Sequence, residues 1–363
     1  MSSTELPFSA AELVQRLLTW YGRSGRDLPW RNSRDPYRIW LSEVMLQQTT
    51  VAVVIGYYQR FLEHFPTVDA LSAAPLEDVI DLWAGLGYYS RARNLHAAAK
   101  LIVSESCGVF PADVEDLQKL PGVGRSTAGA ISALAFDRHA PILDGNVRRV
   151  LCRLFALQEP PRSSSAEKLL WNWSEQMTPT EHVHDYTQAI MDLGATVCIP
   201  RKPLCSECPW NAVCLAKKSG LEDQLPLKQP TKKIPTREEV TLLLNCRGLY
   251  LVRRRPAEGF LGGLWEFPAI TVPDGERREE KISLLCGDFG CGTATDLLGQ
   301  IRHVYSHFRL QSDIYRIEID DLPRIAEGEA SWFSLDELKK IALHGAHKKV
   351  LGVCLGLQIA TRK

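Results

Sequence analysis

Four thiols, two carboxyl groups and one glycine-bounded turn are the parts of this 363-residue chain best placed to do chemistry. Cys198, Cys205, Cys208 and Cys214 lie in one short stretch, spaced CxxxxxxCxxCxxxxxC. Thiolates are soft ligands, and four of them satisfy either a tetrahedral zinc ion or an iron-sulfur cubane. Zinc sites usually pair two CxxC knuckles across a longer loop, and here only Cys205 and Cys208 form one. Single cysteines on either side let each thiolate point inward from a compact loop around a large group, which favours [4Fe-4S] over zinc.

Glu43 lies in RIWLSEVMLQQTT (38–50), where helical spacing surrounds it with Ile39, Trp40, Leu46 and Gln47 and sets no lysine or arginine to pair with it. Burial raises a carboxyl pKa and keeps a proton available near neutrality, as a general acid requires; the carboxylate left behind can activate water. The plainer alternative is a half-exposed glutamate on a tightly packed helix. Asp144, in PILDGNVRRVL (141–151), stands before Gly145 and Asn146 at a helix entry. It can cap that helix, and if it stays ionised it can also stabilise positive charge developing beside it. In LPGVG (120–124), Gly122 and Gly124 allow close approach of the backbone, and the helix that follows opens with free N–H groups. Such a turn holds a phosphate without reading a base, although an ordinary helix-helix connection has the same pattern.

The elements that must position these groups divide the chain. From residue 8 to about 215 apolar residues recur at three and four, as in Leu13, Leu17, Leu18 and Val68, Leu71, Val79, Leu82, with prolines punctuating short helices. Residues 217–237 lack that period and hold three prolines, which marks a linker. VTLLLNC (240–246) and LYLVRRR (249–255) then flank Arg247-Gly248 like the arms of a hairpin, and HFRLQSDIYRIEI (307–319) reads as a further strand. The expected organisation is an all-α domain over 1–216, a linker over 217–237, and an α+β domain over 238–363.

With 45% hydrophobic and 24% charged residues, the composition is that of a soluble globular protein, long enough for two cores. Lysine and arginine number 43 and aspartate and glutamate 43, so no bulk charge draws the molecule to nucleic acid or membrane. Charge is uneven locally: Lys119, Arg125, Arg138, Arg148, Arg149 and Arg153 face only Asp137 and Asp144 over 119–153, a pattern open to a phosphate footprint or a solvated helical face. Residues 1–20 hold no signal-peptide pattern and no apolar run reaches membrane-spanning length. The expectation is a monomer in a reducing cytosolic or nucleoid compartment, where clustered cysteines mean metal more often than disulfide.

The cysteine spacing resembles that of the endonuclease-III-like superfamily of DNA glycosylases, and WLSEVMLQQT is similar to the corresponding segment of the MutY-type adenine glycosylases within it. The resemblance implies a [4Fe-4S] cluster that orders a DNA-contacting loop, into which Arg201 and Lys202 fit, and makes LPGVG the turn of a helix-hairpin-helix. It implies that Glu43 is acid and base, that Asp144 stabilises an oxocarbenium-like state at the sugar of an extruded nucleotide, and that Asn146 orients the site. Ser126 stands where bifunctional members carry a Schiff-base lysine, so the implied enzyme is monofunctional. Arg31, Gln48, Thr49, Leu86 and Tyr88 match positions that contact the flipped adenine or fill the duplex, although Tyr88 and Tyr89 could equally be core aromatics. FLGGLWEFPAI (260–270) resembles the lead-in of Nudix hydrolases, yet Arg278-Glu279-Glu280 lacks the second acidic pair and terminal glycine of a metal-binding box. A Nudix-like domain that recognises without hydrolysing is therefore implied. In IRHVYSHFRL (301–310), Tyr305, Ser306 and His307 match the loop that reads 8-oxoguanine, with tyrosine where the family most often has phenylalanine. The implied activity is hydrolysis of the N-glycosidic bond of adenine mispaired with 8-oxoguanine or guanine in double-stranded DNA. The rivals are a pyrimidine glycosylase with lyase activity and a redox-active DNA-binding protein without catalysis.

Overall fold

Apolar spacing of three and four gives way to spacing of two near Thr236, and the architecture changes with it. The computed structural model describes residues 6–228, 234–256, 259–289, 291–292, 296–320, 330–354 and 356. One compact unit takes the chain through Ala74 together with Asn94–Thr231; the other takes Pro75–Arg93 with the chain from Lys232. Contacts thus group the molecule differently from chain order, by which residues 75–93 fall within the 1–216 segment. Residues 229–233 of the linker segment lie outside the described residues.

The helices before the cysteine loop are α1 (Ala10–Ser24), α2 (Pro36–Leu46), α3 (Val51–His64), α4 (Val68–Ala73), α5 (Leu76–Trp83), α6 (Ser90–Ser106), α7 (Val114–Leu117), α8 (Arg125–Phe136), α9 (Gly145–Leu154), α10 (Ser164–Met177) and α11 (Val183–Asp192); α12 (Leu215–Lys218) follows the loop. A π-helical turn, Leu193–Val197, carries α11 into Cys198, whose N–H donates to Leu193 O at 2.7 Å. Helix α2 starts where Asp35 accepts the Tyr37 N–H at 2.9 Å and Pro36 presets the first turn. It buries Ile39, Trp40, Leu41, Val44 and Met45, leaving Glu43 half-buried. Helix α1 turns Leu13, Val14 and Leu17 onto Val147, Val150 and Leu151 of α9, Leu170 of α10 and Ile190 of α11. Each such side chain contributes about 1.5–3 kcal/mol by leaving water. Helix α8 is built from small residues because it must come close: a Cβ on Gly129 would lie 2.5 Å from the carbonyl oxygen of Pro141. The segment Pro141–Leu143 that delivers Asp144 therefore lies directly on α8.

The second unit holds a seven-stranded sheet: β1 (Thr236–Cys246), β2 (Leu249–Arg254), β3 (Trp265–Glu266), β4 (Ala269–Val272), β5 (Asp296–Val304), β6 (Arg309–Glu318) and β7 (Ala330–Ser334). Its order is β3-β2-β1-β6-β5, with β4 on β1 and β7 on β2; β1 and β6 run parallel from Thr236↔Arg309 to Asn245↔Glu318. Arg247 and Gly248, both at positive φ, make the tight β1–β2 turn that the sequence suggested. Leu243 faces a core with α14 (Leu335–Leu338) and α15 (Gly345–Cys354), whereas Leu242 and Leu244 face a core with α13 (Arg278–Asp288). Arg93 at the start of α6 donates to the Gly262 carbonyl at 2.9 Å, within this unit.

Candidate active site

Glu43, Asp144 and Asn146 line one cavity of about 880 Å³ in the first unit, together with Arg31, Gln48, Thr49, Gly124 and Ser126. That volume falls within the range of ligand pockets, from about 300 to 1,000 Å³. The carboxyl of Glu43 enters from α2 and has no hydrogen-bond partner among the described residues. Burial pushes it up to about 7; the charge of Asp144 pushes the same way and that of Arg31 opposes it. Although Glu43 is only half-buried by surface, it lines the cavity, and its desolvation is that of a buried group.

Asp144 caps α9, accepting the Val147 N–H at 2.7 Å and the Asn146 side-chain amide at 3.2 Å. Burial raises this carboxyl as well. The N–H of Val147, the amide and N–H of Asn146, and the Arg149 guanidinium pull it back. Asp144 accepts from donors that favour its charged form, whereas among the described residues none reaches Glu43, so the two carboxyls of this cavity have unlike surroundings.

Arg31 has a different immediate partner from the one expected. Its two Nη atoms donate to the Asp192 carboxylate at 2.6 and 2.5 Å, and Arg26 adds Nε at 2.7 Å and its N–H at 3.0 Å. Asp192, wholly buried at the end of α11, is driven up by burial and brought net down by these donors. Nothing in the local sequence marked Asp192; its partners are more than 160 residues away. Ser126 also has a structural duty: its Oγ accepts the Leu143 N–H at 3.0 Å, joining α8 to the segment before Asp144.

Gly122, at φ +79°, packs where a Cβ would lie 2.8 Å from Cβ of Asn94, so the turn requires glycine there. Gly124 is the N-cap residue of α8 with open space around it. Leu86 and Tyr88 fall in the second unit: Leu86 is buried, whereas Tyr88 is half exposed at φ +48° and Tyr89 is buried. The core reading thus fits Tyr89 and not Tyr88. Tyr305, Ser306 and His307 also belong to the second unit, where Ser306 and His307 form the exposed turn between β5 and β6.

The four cysteines line one small cavity with Arg153, whose Nη1 lies 3.3 Å from Cys198 Sγ. Arg153 is buried and also donates to the carbonyls of Ile199, Pro200 and Leu225. Among the described residues no three ligand-type side chains converge where a single ion could sit. A cubane spreads its irons over four corners and needs one thiolate at each, so this donor set around a cavity fits a cluster better than zinc. One turn earlier on α9, Arg149 donates to Cys198 O at 2.7 Å, Gly194 O at 2.6 Å and Asn146 Oδ1 at 2.8 Å. By sequence both arginines belong to the basic stripe of 119–153, open to a phosphate footprint or a solvated helical face; here both donate to backbone carbonyls.

Three stretches of the chain match known protein families. Residues 41–176 match the HhH-GPD superfamily of base excision DNA repair proteins, 198–214 the iron-sulfur binding domain of endonuclease III, and 239–352 the NUDIX domain. Adenine DNA glycosylase of Mus musculus is 37% identical, covering 96% of this chain and 78% of the relative. That of Buchnera aphidicola from Acyrthosiphon pisum is 34% identical, covering 93% and 96%. Among solved structures, a thermostable thymine-DNA glycosylase superposes with a TM-score of 0.53 at 29% identity, covering 58% of this chain and 97% of the other. Endonuclease III in a non-covalent DNA complex gives 0.50 at 25% identity, covering 59% and 99%.

Proposed function

Because the chain belongs to the adenine DNA glycosylases, enzymes of base excision repair with an iron-sulfur domain, we propose that its substrate is adenine paired with 8-oxoguanine or guanine in duplex DNA. The observation that supports the chemistry best is the pair of unlike carboxyls in one cavity: Glu43 up at about 7 without donors, Asp144 surrounded by them.

Glu43 gives its proton to a ring nitrogen of the extruded adenine, and the C1′–N bond breaks with its electron pair leaving on the base. The sugar becomes oxocarbenium-like, and the Asp144 carboxylate stabilises that charge while Asn146 and Arg149 hold its orientation. Water adds at C1′ and loses its proton to the Glu43 carboxylate, which restores the acid. Ser126 supplies no amine, so the product is an abasic site and not a Schiff base. The hairpin at Gly122–Gly124 and the α8 N-terminus hold a DNA phosphate. Cys198, Cys205, Cys208 and Cys214 hold the cluster, a redox-capable group whose structural effect is to fold the loop bearing Arg201 and Lys202. Tyr88, the exposed aromatic of its pair, occupies space in the duplex, and Tyr305, Ser306 and His307 read the base opposite adenine.

Single-turnover base release from duplexes with adenine opposite 8-oxoguanine, guanine or thymine tests this reading. Release in the order 8-oxoguanine, guanine, thymine, with strand breaks only after alkali, is expected. Equal rates on all three duplexes, or cleavage without alkali, would refute the specificity or the monofunctional chemistry respectively.

A further inference from the structure

Tyr305 is the one residue of the β5–β6 turn that departs from the phenylalanine usual in the resemblance, and its hydroxyl does not point to solvent. It lies 3.2 Å from Nδ1 of His344, and the N–H of Ala346 is directed at the same oxygen. His344 is 3% exposed; burial, aided by the neighbouring His347, holds its ring down to about 3, so it is neutral. With Nδ1 accepting from the hydroxyl, Nε2 carries the hydrogen and faces Glu266 at 3.6 Å. Glu266 is also buried, and although burial opposes it, His344, Arg255 and Arg253 bring that carboxyl down to about 2. Arg253 Nε donates to it at 2.9 Å, and Arg255 pairs with its other oxygen. The tyrosine is pinned at a second point, since its N–H donates to Phe308 O at 2.9 Å and closes the turn that carries Ser306 and His307. Its ring packs edge-on against Phe260 and His303 and also contacts Phe308, with centroids at 5.0, 4.5 and 4.9 Å. A phenylalanine would keep those ring contacts and lose only the hydroxyl.

We propose that the Tyr305 hydroxyl and His344, backed by Glu266 and its two arginines, form a buried strut that fixes the Ser306–His307 turn and so sharpens discrimination of the base opposite adenine. Both are positioning residues in this role, and the specificity part rests on the reading of the turn given under Proposed function. A turn held at its hydroxyl end loses less conformational freedom on contacting DNA, and the contacts of Ser306 and His307 benefit.

The test uses the full chain with Tyr305→Phe, His344→Leu and His344→Gln, the last keeping one acceptor and one donor in place of the two ring nitrogens. Two quantities are read: amide hydrogen exchange across residues 304–308 without DNA, and the ratio of single-turnover rates on duplexes with 8-oxoguanine and with guanine opposite adenine. The strut predicts that Tyr305→Phe and His344→Leu each speed turn exchange and lower the ratio by about five-fold, what one net hydrogen bond contributes. The double variant should lose no more than either alone, and His344→Gln should stay near wild type. Unchanged exchange in Tyr305→Phe overturns the strut, whatever the rates do. If exchange rises while the ratio holds, the strut stands as a fold element and its role in discrimination is overturned. A wild type that does not distinguish the two duplexes refutes the reading of the turn instead, and exchange alone then decides the strut.

Discussion

Glu43→Gln should remove base release and at the same time stabilise the fold, and the second effect can be worked from the site. Glutamine has the shape of protonated glutamate, with no charge to desolvate and no proton to give. Glu43 stands at about 7 in the folded chain against an ordinary 4.5. Below pH 4.5 both states of the wild type are protonated and the group is neutral in stability. Between 4.5 and 7 the unfolded chain ionises first, so folded stability falls as pH rises; above 7 both are ionised and the loss levels off. At about 1.4 kcal/mol per unit, the variant should lead the wild type by roughly 1 kcal/mol at pH 5 and about 3 kcal/mol at pH 8. For a unit of this size that corresponds to a melting-point difference of roughly 2–4 °C at pH 5 and 6–12 °C at pH 8. Scanning both proteins at fixed rate with the iron-sulfur domain loaded measures this difference directly. A lead that is the same at both pH values, or is absent, would refute the assignment of Glu43 as a desolvated carboxyl. Base release in the same variant should fall by about 10²–10⁴-fold, the usual worth of a positioned acid-base group.

Loss of the proton from Glu43 should also appear in the wild-type rate: single-turnover base release is expected to hold below pH 7 and to fall about ten-fold per unit well above it. A rate that rises through pH 7 would show a different group to be acting. Asp192→Asn leaves the buried Arg31 with a neutral partner and should destabilise the first unit by about 3–5 kcal/mol, read as a shift of the melting transition. Gly122→Ala strains a backbone at φ +79° and pushes a Cβ onto Asn94; about 1–2 kcal/mol of stability should go, with weaker binding of undamaged duplex in a filter or anisotropy assay. Arg153→Met deprives the carbonyls of Ile199, Pro200 and Leu225 of their donor and should lower the iron content per chain while the second unit's melting stays unchanged.

What the sequence made legible was mostly local. The cysteine spacing, the Asp-Gly-Asn entry to α9, the glycine turn before α8 and the two-residue β1–β2 turn are each decided within a few residues of backbone, where periodicity and capping chemistry act. Glu43 was legible for a related reason: three of its four helix neighbours at three and four, Ile39, Trp40 and Leu46, are apolar, and burial follows from that. The partner of Arg31 was not, because Asp192 reaches it across 161 positions and sits in an unremarkable stretch of α11. Nor could spacing assign Arg149 and Arg153 to carbonyls of the cysteine loop in place of phosphates, since a run of arginines looks alike whether it faces solvent or protein. Pro75–Arg93 reads as two more helices in an all-helical segment; its grouping with the sheet-bearing unit depends on contacts such as that of Arg93 with Gly262, which no local pattern announces.

Helix α9 shows why these distant partners matter to the site. Its first residue follows Asp144, its side face carries Arg149 and Arg153, and both arginines are spent on the backbone of residues 194–200 and 225. Gly194 lies so close that a Cβ there would meet Cβ of Asn146 at 2.6 Å, a distance no side chain tolerates. The π-helical turn after Asp192 supplies that close approach: it brings Gly194 onto the entry of α9 and directs the chain to Cys198, six residues after Asp192. One short stretch therefore carries the carboxylate that anchors Arg31 at its start, the glycine beneath Asn146 in its middle and the first thiol at its end. Displacing the stretch along its length would disturb the wall of the cavity at Arg31 and the cap of α9 together, so the geometry of Asp144 depends on residues that never touch the reacting base.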